Sequence, residues 1–321
     1  MEISAQNQQY VHVVRNLRFI DKHQLSVSII NKEEKKGGMQ LHKKTGIELR
    51  AIFLAAVCSQ TYTQFTNTDG SFVVPLNYSV SHTIQAKSIS NEWERFGFII
   101  ESPQEIIIAF RGTSSTSDWI SDIIASQKRF KYIKQDCLTH RGFTDIYSSA
   151  RDELFSALTG LSPAKTLYIT GHSLGAALAT LCAIDIAANT AHHSPILFTF
   201  GSPRVGDPAF SKAFTEYVKN SWRTANLYDV VTYTPPTVYK LPKREKKYYY
   251  SHVQTFSSLS FQNGGIGANH IIGSYFAELS RLHPAFTQSL CVTNPGFCPA
   301  TEASPNGPPN SQGIKKGNPL S

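Results

Sequence analysis

The tightest constraint on the fold is a change of period near the middle of the chain. Leu167-Tyr168-Ile169-Thr170 reads as a strand, and residues 174–188, rich in Ala176, Ala177, Ala179 and Ala183, read as a helix. Between them stands Gly171-His172-Ser173-Leu174-Gly175, a G-x-S-x-G pattern in which a strand must turn at once into a helix. A serine on so tight a turn sits in strained backbone, and the flanking Gly171 and Gly175 carry no Cβ, so neighbouring elements can approach closely. The Ser173 hydroxyl then projects beyond the sheet at a helix N-terminus, where developing negative charge is favoured. A plain turn serine capping a helix is the bland alternative, and the strand and helix on either side argue against it. His172, inside the turn, is expected to pack beside the serine rather than to react.

The same alternation runs on either side. Residues 96–100 and 105–110 read as strands joined at Ser102-Pro103-Gln104. Ile106-Ile107-Ile108-Ala109-Phe110 does not alternate, as expected of a strand buried on both faces. Further on, 145–158 reads as helix, 196–200 as strand, 208–219 as helix, 222–227 and 248–256 as strands, and 271–282 as helix. Strands alternating with helices predict an α/β fold with a mostly parallel central sheet flanked by helices. Residues 1–44 form a segment of uncertain structure, with strand-like runs at 11–14 and 25–30 interrupted by the charged and Gly-containing run 32–38. A helix is expected over 45–60 with Thr45 as N-cap, opening a domain that spans 45–290. From 291 to 321 the chain is rich in Pro, Gly, Asn and Ser and reads as a disordered tail.

Hydrophobic residues make up 41% of the 321 and charged residues 17%, so the chain as a whole is globular. No apolar run reaches the roughly 18 residues of a membrane span. Met1 to Ile30 holds no uninterrupted apolar stretch of the kind a cleavable signal needs, so a cytoplasmic or peripheral membrane location is expected, with secretion the alternative if the start has been trimmed. The net charge is +8, with basic runs at 32–44 and 240–247. Solvated loops are the simple reading of these runs, and a transient membrane-surface contact through anionic headgroups is the sharper one. No nucleic-acid module surrounds either run, so nucleic acid is not an expected partner. Of five cysteines, Cys58 and Cys182 fall in helical apolar segments, while Cys291 and Cys298 bracket Asn294-Pro295-Gly296 and would close a small loop under oxidising conditions. No zinc-type spacing occurs, and neither metal nor cofactor is expected.

The landmarks in order are Phe110-Arg111-Gly112-Thr113, Asp118-Trp119-Ile120, His140-Arg141-Gly142-Phe143, the Gly171–Gly175 turn, Gly201-Ser202-Pro203-Arg204-Val205-Gly206, Asp229-Val230-Val231, Pro235-Pro236 and Asn269-His270. In this series the chain resembles the class 3 lipases, the fungal triacylglycerol lipase type, over roughly residues 45 to 283. The resemblance implies an α/β-hydrolase fold with a short helical lid and a serine hydrolase acting on lipid esters at a lipid–water interface. Phospholipase A1-like and feruloyl-type esterases are the neighbouring alternatives, and a non-catalytic lipase-like interaction protein is the alternative of another class. Oligomeric state is not legible.

A serine hydroxyl needs a base, and the partners are expected in the order serine, acid, histidine, each on a loop after a strand. Asp185 lies mid-helix and Asp207 reads as an N-cap before Pro208, which leaves Asp229, after the strand 222–227. His192 and His193 come too early, His252 falls in a strand, and His283 precedes Pro284 at a helix end. His270, after the flexible Gly264-Gly265-Ile266-Gly267, is the expected base. The N–H of Leu174 is one expected oxyanion donor, and the resemblance puts the second at Thr113. Ser117 would cap a short helix whose Trp119, Ile120, Ile123 and Ile124 form one apolar stripe away from Asp118, and it is expected to be the lid.

Overall fold

The computed structural model describes residues 34–113, 126–240, 245–253 and 256–300, with side chains from 44 on. The chain divides into two compact units, Met1–Ile47 and Glu48–Ser321. The described part of the first is helical, at the start of α1 (Glu34–Thr66). Helix thus begins well before the expected N-cap at Thr45, and Gly37 and Gly38 lie inside it: their cost of about 1 kcal/mol each does not end the helix. The strand-like runs at 11–14 and 25–30 lie outside the described residues.

The second unit is built on a seven-stranded sheet in the order β1 (Ser79–Lys87), β2 (Trp93–Glu101), β3 (Glu105–Phe110), β6 (Thr166–His172), β7 (Ile196–Phe200), β8 (Asn220–Asn226), β11 (Phe256–Leu259). The pairings of β1 with β2 and of β2 with β3 are antiparallel, and every pairing from β3 to β11 is parallel. Two small antiparallel pairs lie outside it, β4 (Gln127–Arg129) with β5 (Leu138–His140), and β9 (Val238–Lys240) with β10 (Lys247–Tyr249). The single strand expected over 248–256 is therefore two: the chain leaves β10, Ser251 bridges to Gly206, and β11 joins the main sheet.

The remaining helices are α2 (Arg141–Thr159), α3 (Leu174–Asn189), α4 (Pro208–Tyr217), α5 (Ile272–Leu282) and α6 (Pro284–Thr293). Successive residues of β6 show how the sheet is covered. Leu167 and Ile169 join one apolar core with residues of α2, α3 and α4. Tyr168 and Thr170 face the other way, where the Arg50 guanidinium lies 4.3 Å from the Tyr168 ring and Cys58 Sγ is 3.2 Å from Thr170 Oγ1, both partners from α1. With both faces covered, Ile106 to Phe110 are all buried, which explains their unbroken apolar run. The small side chains of α3 leave it buried along nearly its whole length.

Part of the expected tail is packed. Cys291 and Cys298 form a disulfide, Phe297 is buried, and its carbonyl accepts from Gln60 Nε2 at 2.8 Å. A Pro/Gly-rich composition does not prevent order where one aromatic side chain and a cross-link hold the loop. Residues 301–321 lie outside the described ones. Among the described residues no helix is long and apolar enough to cross a membrane.

Asp185 ties α3 to α2. Its fully buried carboxylate receives Arg151 Nε at 2.6 Å, Arg151 Nη2 at 3.1 Å, Tyr147 Oη at 2.7 Å and Asn189 Nδ2 at 2.7 Å. Breaking such a pair from the cation side strands a buried charge. Arg151→Met should therefore lower the unfolding free energy by about 3 kcal/mol, read from urea unfolding. A loss under about 1 kcal/mol would show that Tyr147 and Asn189 alone satisfy the carboxylate.

Candidate active site

The strand β6 ends at His172 and α3 begins at Leu174, so Ser173 alone makes the turn. Its backbone is at φ 59°, ψ −127°, a region that L-residues rarely adopt and that costs about 1–3 kcal/mol. Three close approaches hold it there. A methyl group on Gly171 would lie 2.2 Å from the Gly175 carbonyl oxygen, and one on Gly175 would lie 2.3 Å from the Phe110 carbonyl oxygen. The Ser173 N–H donates to the Phe200 carbonyl at 3.0 Å. The elbow is thus wedged against the ends of β3 and β7, and only glycines fit on its two flanks.

Three residues far apart in the chain meet at this turn. His270 Nε2 is 2.8 Å from Ser173 Oγ, and its Nδ1 is 2.7 Å from Asp229 Oδ2. Ser173, Asp229 and His270 are all buried. Asp229 follows β8, and its Oδ1 accepts from the Val231 N–H at 3.0 Å as the chain turns into a single 3-10 turn. The Tyr275 hydroxyl accepts the Asn226 N–H at 3.0 Å and donates to Asp229 Oδ2 at 2.6 Å. Burial, with Asp229 alongside, pushes the Tyr275 phenol well above its ordinary range, so it keeps the proton it donates. Asn226 Nδ2 reaches the carbonyls of Phe261 and Asn269, which fixes the loop carrying His270. Gly201, at φ +57°, passes so near that a methyl there would be 3.0 Å from Asp229 Oδ2 and 3.1 Å from His270 Cε1.

The loop after β3 runs beside the serine. A methyl on Gly112 would lie 2.8 Å from Ser173 Cβ, and Thr113 follows directly. Arg111 anchors this loop: its buried guanidinium donates to the carbonyls of Arg95 at 2.7 Å and Gly112 at 2.8 Å, pairs with Glu94, and lies 3.6 Å from the Phe65 ring centroid. Leu174 opens α3, where the first N–H groups of a helix have no partner within it. The expected lid residues Asp118, Trp119, Ile120, Ile123 and Ile124 lie outside the described residues.

The rival candidates have other partners. Asp185 binds Arg151, and Asp207 caps α4 by accepting from the Phe210 N–H. His252 donates to the Thr232 carbonyl at 2.8 Å, and burial beside Arg223 pushes its imidazole down to about 3. His283 Nε2 sits 2.8 Å from Glu48. His172 lies under His270 with ring centroids 4.6 Å apart. The supporting residues Tyr275, Asn226 and Arg95 carry no motif, and nothing in the sequence marks them. Among the described residues no group of three or more His, Cys, Asp or Glu side chains is arranged to hold a metal ion.

A serine on a strand–helix elbow, bonded to a histidine and an aspartate on loops beyond later strands of a mostly parallel sheet, defines the α/β-hydrolase fold class. Within that class, the model of the lipase (class 3) family matches residues 107–239, so this stretch of the chain is similar to that family. The lipase of Rhizomucor miehei is 32% identical over 155 residues, covering 46% of this chain and 42% of that protein. Phospholipase A1-II 1 of Oryza sativa subsp. indica is 36% identical over 134 residues, 35% of this chain and 34% of that protein. The chain thus spans less than half the length of the curated relatives it matches. Among solved structures, lipase II from Rhizopus niveus superposes with a TM-score of 0.52 at 25% identity, over 60% of this chain and 76% of that one.

Gly201→Ala tests the packing around Asp229 and His270. The substitution places an L-residue in left-handed backbone, at about 1–2 kcal/mol, and presses on both groups. The thermal midpoint should fall by several degrees, and turnover of a soluble ester should drop at least about tenfold, as misplacement of catalytic groups by a fraction of an ångström implies. Unchanged turnover would show that the acid–base pair tolerates displacement.

Proposed function

We propose that the chain is a carboxylic ester hydrolase acting on lipid esters through an acyl-enzyme on Ser173. The observation that carries this reading is the unbroken line Ser173 Oγ–His270 Nε2–His270 Nδ1–Asp229 Oδ2 on a strained elbow. His270 takes the hydroxyl proton as Ser173 Oγ attacks the ester carbonyl, and Asp229 orients the ring and stabilises its charged form. The oxyanion of the tetrahedral intermediate forms at the N–H groups of Leu174 and Thr113, each such donor contributing about 3–4 kcal/mol. His270 then passes its proton to the leaving alcohol, and a water activated by the same imidazole releases the acid. Ser173→Ala and His270→Ala should each lower ester hydrolysis by about a millionfold, as in other triads whose members act as a unit. More than a tenth of the activity surviving in either variant would remove that residue from the mechanism.

Lipid as the substrate class is supported by the rim. Leu227, Tyr228 and Val230 flank Asp229, Ile271 follows His270, and Ile266 precedes it, and all are exposed. Apolar side chains gathered around a site mouth gain by entering an apolar phase, at about 1.5–3 kcal/mol for each one fully buried. The proposed partner is thus a lipid–water interface, with transient membrane-surface contact. Leu227→Glu combined with Ile266→Glu should cut hydrolysis of emulsified triacylglycerol at least about tenfold while sparing a soluble short-chain ester. Equal loss on both substrates would refute an interfacial role for the rim. A phospholipase A1-type specificity is the second reading, favoured by the similarity to the rice phospholipase A1-II 1. Comparing triolein with phosphatidylcholine hydrolysis decides between the two.

A further inference from the structure

We propose that Tyr62 and His172 are positioning residues that tie the oxyanion loop to the base loop through one directed line of hydrogen bonds. The line begins at the backbone carbonyl of His270, 2.6 Å from His172 Nε2. A carbonyl only accepts, so His172 Nε2 carries the proton. His172 Nδ1 is 2.6 Å from the Tyr62 hydroxyl. In a neutral ring whose proton sits on Nε2, Nδ1 is an acceptor, and Tyr62 must donate to it. The phenolic oxygen is then left to accept, and the Gly112 N–H points at it from 3.1 Å. Each group has one role that the next one requires, and the whole order follows from the carbonyl at one end.

Two features keep the line in this state. His172 is buried, and burial together with the neighbouring His270 holds its imidazole well below the ordinary histidine range. The titratable side chains against it are Tyr62, His270 and, with ring centroids 6.1 Å apart, Tyr275. Burial raises the Tyr62 phenol, so it keeps the proton it must give to Nδ1. A methyl group on Gly112 would sit 2.4 Å from the Tyr62 oxygen, so only glycine admits the phenol at this distance.

The consequence is mechanical. Gly112 precedes Thr113, the proposed oxyanion donor, and His270 is the proposed base. Their separation decides whether proton transfer and oxyanion stabilisation act on the same carbonyl. Tyr62 reaches this point from α1 and His172 from the end of β6, so the line spans three parts of the chain. The inference rests on the hydrolase reading for its kinetic effect, and on geometry alone for the line itself.

The test uses the full chain with Tyr62→Phe, His172→Gln and the double variant. Tyr62→Phe keeps the ring and removes the donor. His172→Gln keeps a donor at the Nε2 position for the His270 carbonyl but offers no acceptor where Nδ1 stood. Each should lower kcat on soluble p-nitrophenyl butyrate by about 10- to 100-fold, the scale of a misplacement near 1 Å, with KM changed by less than about threefold. Because both break the same link, the double variant should lose no more than the worse single one. Losses that multiply, a loss confined to KM, or a lower thermal midpoint with unchanged kcat would each overturn the proposal. NMR of uniformly ¹⁵N-labelled protein reads the line without turnover: His172 should hold a single Nε2 proton from pH 5 to 8, and Tyr62→Phe should shift the Gly112 amide and His270 ring signals. A proton on Nδ1 at pH 7, or undisturbed Gly112 and His270 signals, would contradict it. Absence of turnover in the unmodified protein would defeat the hydrolase reading and leave the NMR result to decide the line.

Discussion

The turn at Ser173 exists because three stretches of backbone approach more closely than a methyl group permits. Gly171 meets Gly175, Gly175 meets the end of β3, and Gly112 meets the serine itself. No side chain could pull the serine into φ 59° against its own preference. The conformation is imposed by the sheet beneath, by the Phe200 carbonyl that takes the Ser173 N–H, and by the helix that must start at once. The loop after β3 is brought to the serine by the same contacts, so the proposed nucleophile and the proposed oxyanion loop are placed by one packing event. Asp229 and His270 then need only loops from β8 and beyond β11 to arrive at the same edge of the sheet.

Around that turn the polar groups are paired with partners that suit one protonation state. Asp229 receives three hydrogen bonds, from His270, Tyr275 and Val231. His172 lies against His270 as a neutral ring, which avoids two cations stacked in a buried place. Arg111 fixes the loop after β3 with its charge balanced by Glu94 and its faces against Phe65 and Phe96. A buried polar network of this kind is worth having only when every member is satisfied, and here the backbone carbonyls of Arg95, Gly112, Thr232 and His270 supply much of that satisfaction.

The legible part of the fold was the part with strong periodicity. β3, β7 and α3 are mostly apolar or Ala-rich runs, and their limits in the sequence lie within a residue or so of those in the structure. β1 gave no signal, because Ser79-Val80-Ser81-His82-Thr83 is polar and exposed on a sheet edge. β10 and β11 read as one strand because Tyr248 to Phe256 contains no Gly or Pro, and their separation is set by the bridge of Ser251 to Gly206, a tertiary contact. The segment 291–300 read as tail because composition does not reveal that Phe297 has a pocket against Gln60 and Phe53. That Ser173, Asp229 and His270 meet was legible because chain order and loop position restrict them. Tyr62, Asn226 and Tyr275 were not, because each acts through a hydrogen bond to a residue far away in sequence, and a tyrosine within a helix has no pattern of its own.

The central claim is that the strained serine, paired with His270, is a nucleophile. A fluorophosphonate probe reacts with a serine oxygen only where a base accepts its proton, and it forms a covalent phosphonyl ester as fluoride leaves. Incubation of the intact protein with the probe, followed by peptide mass spectrometry, reads the site directly. The account predicts one adduct, on the peptide containing Gly171-His172-Ser173, lost in His270→Ala and retained in His252→Ala. An unlabelled Ser173 in folded protein, or labelling that survives removal of His270, would contradict it.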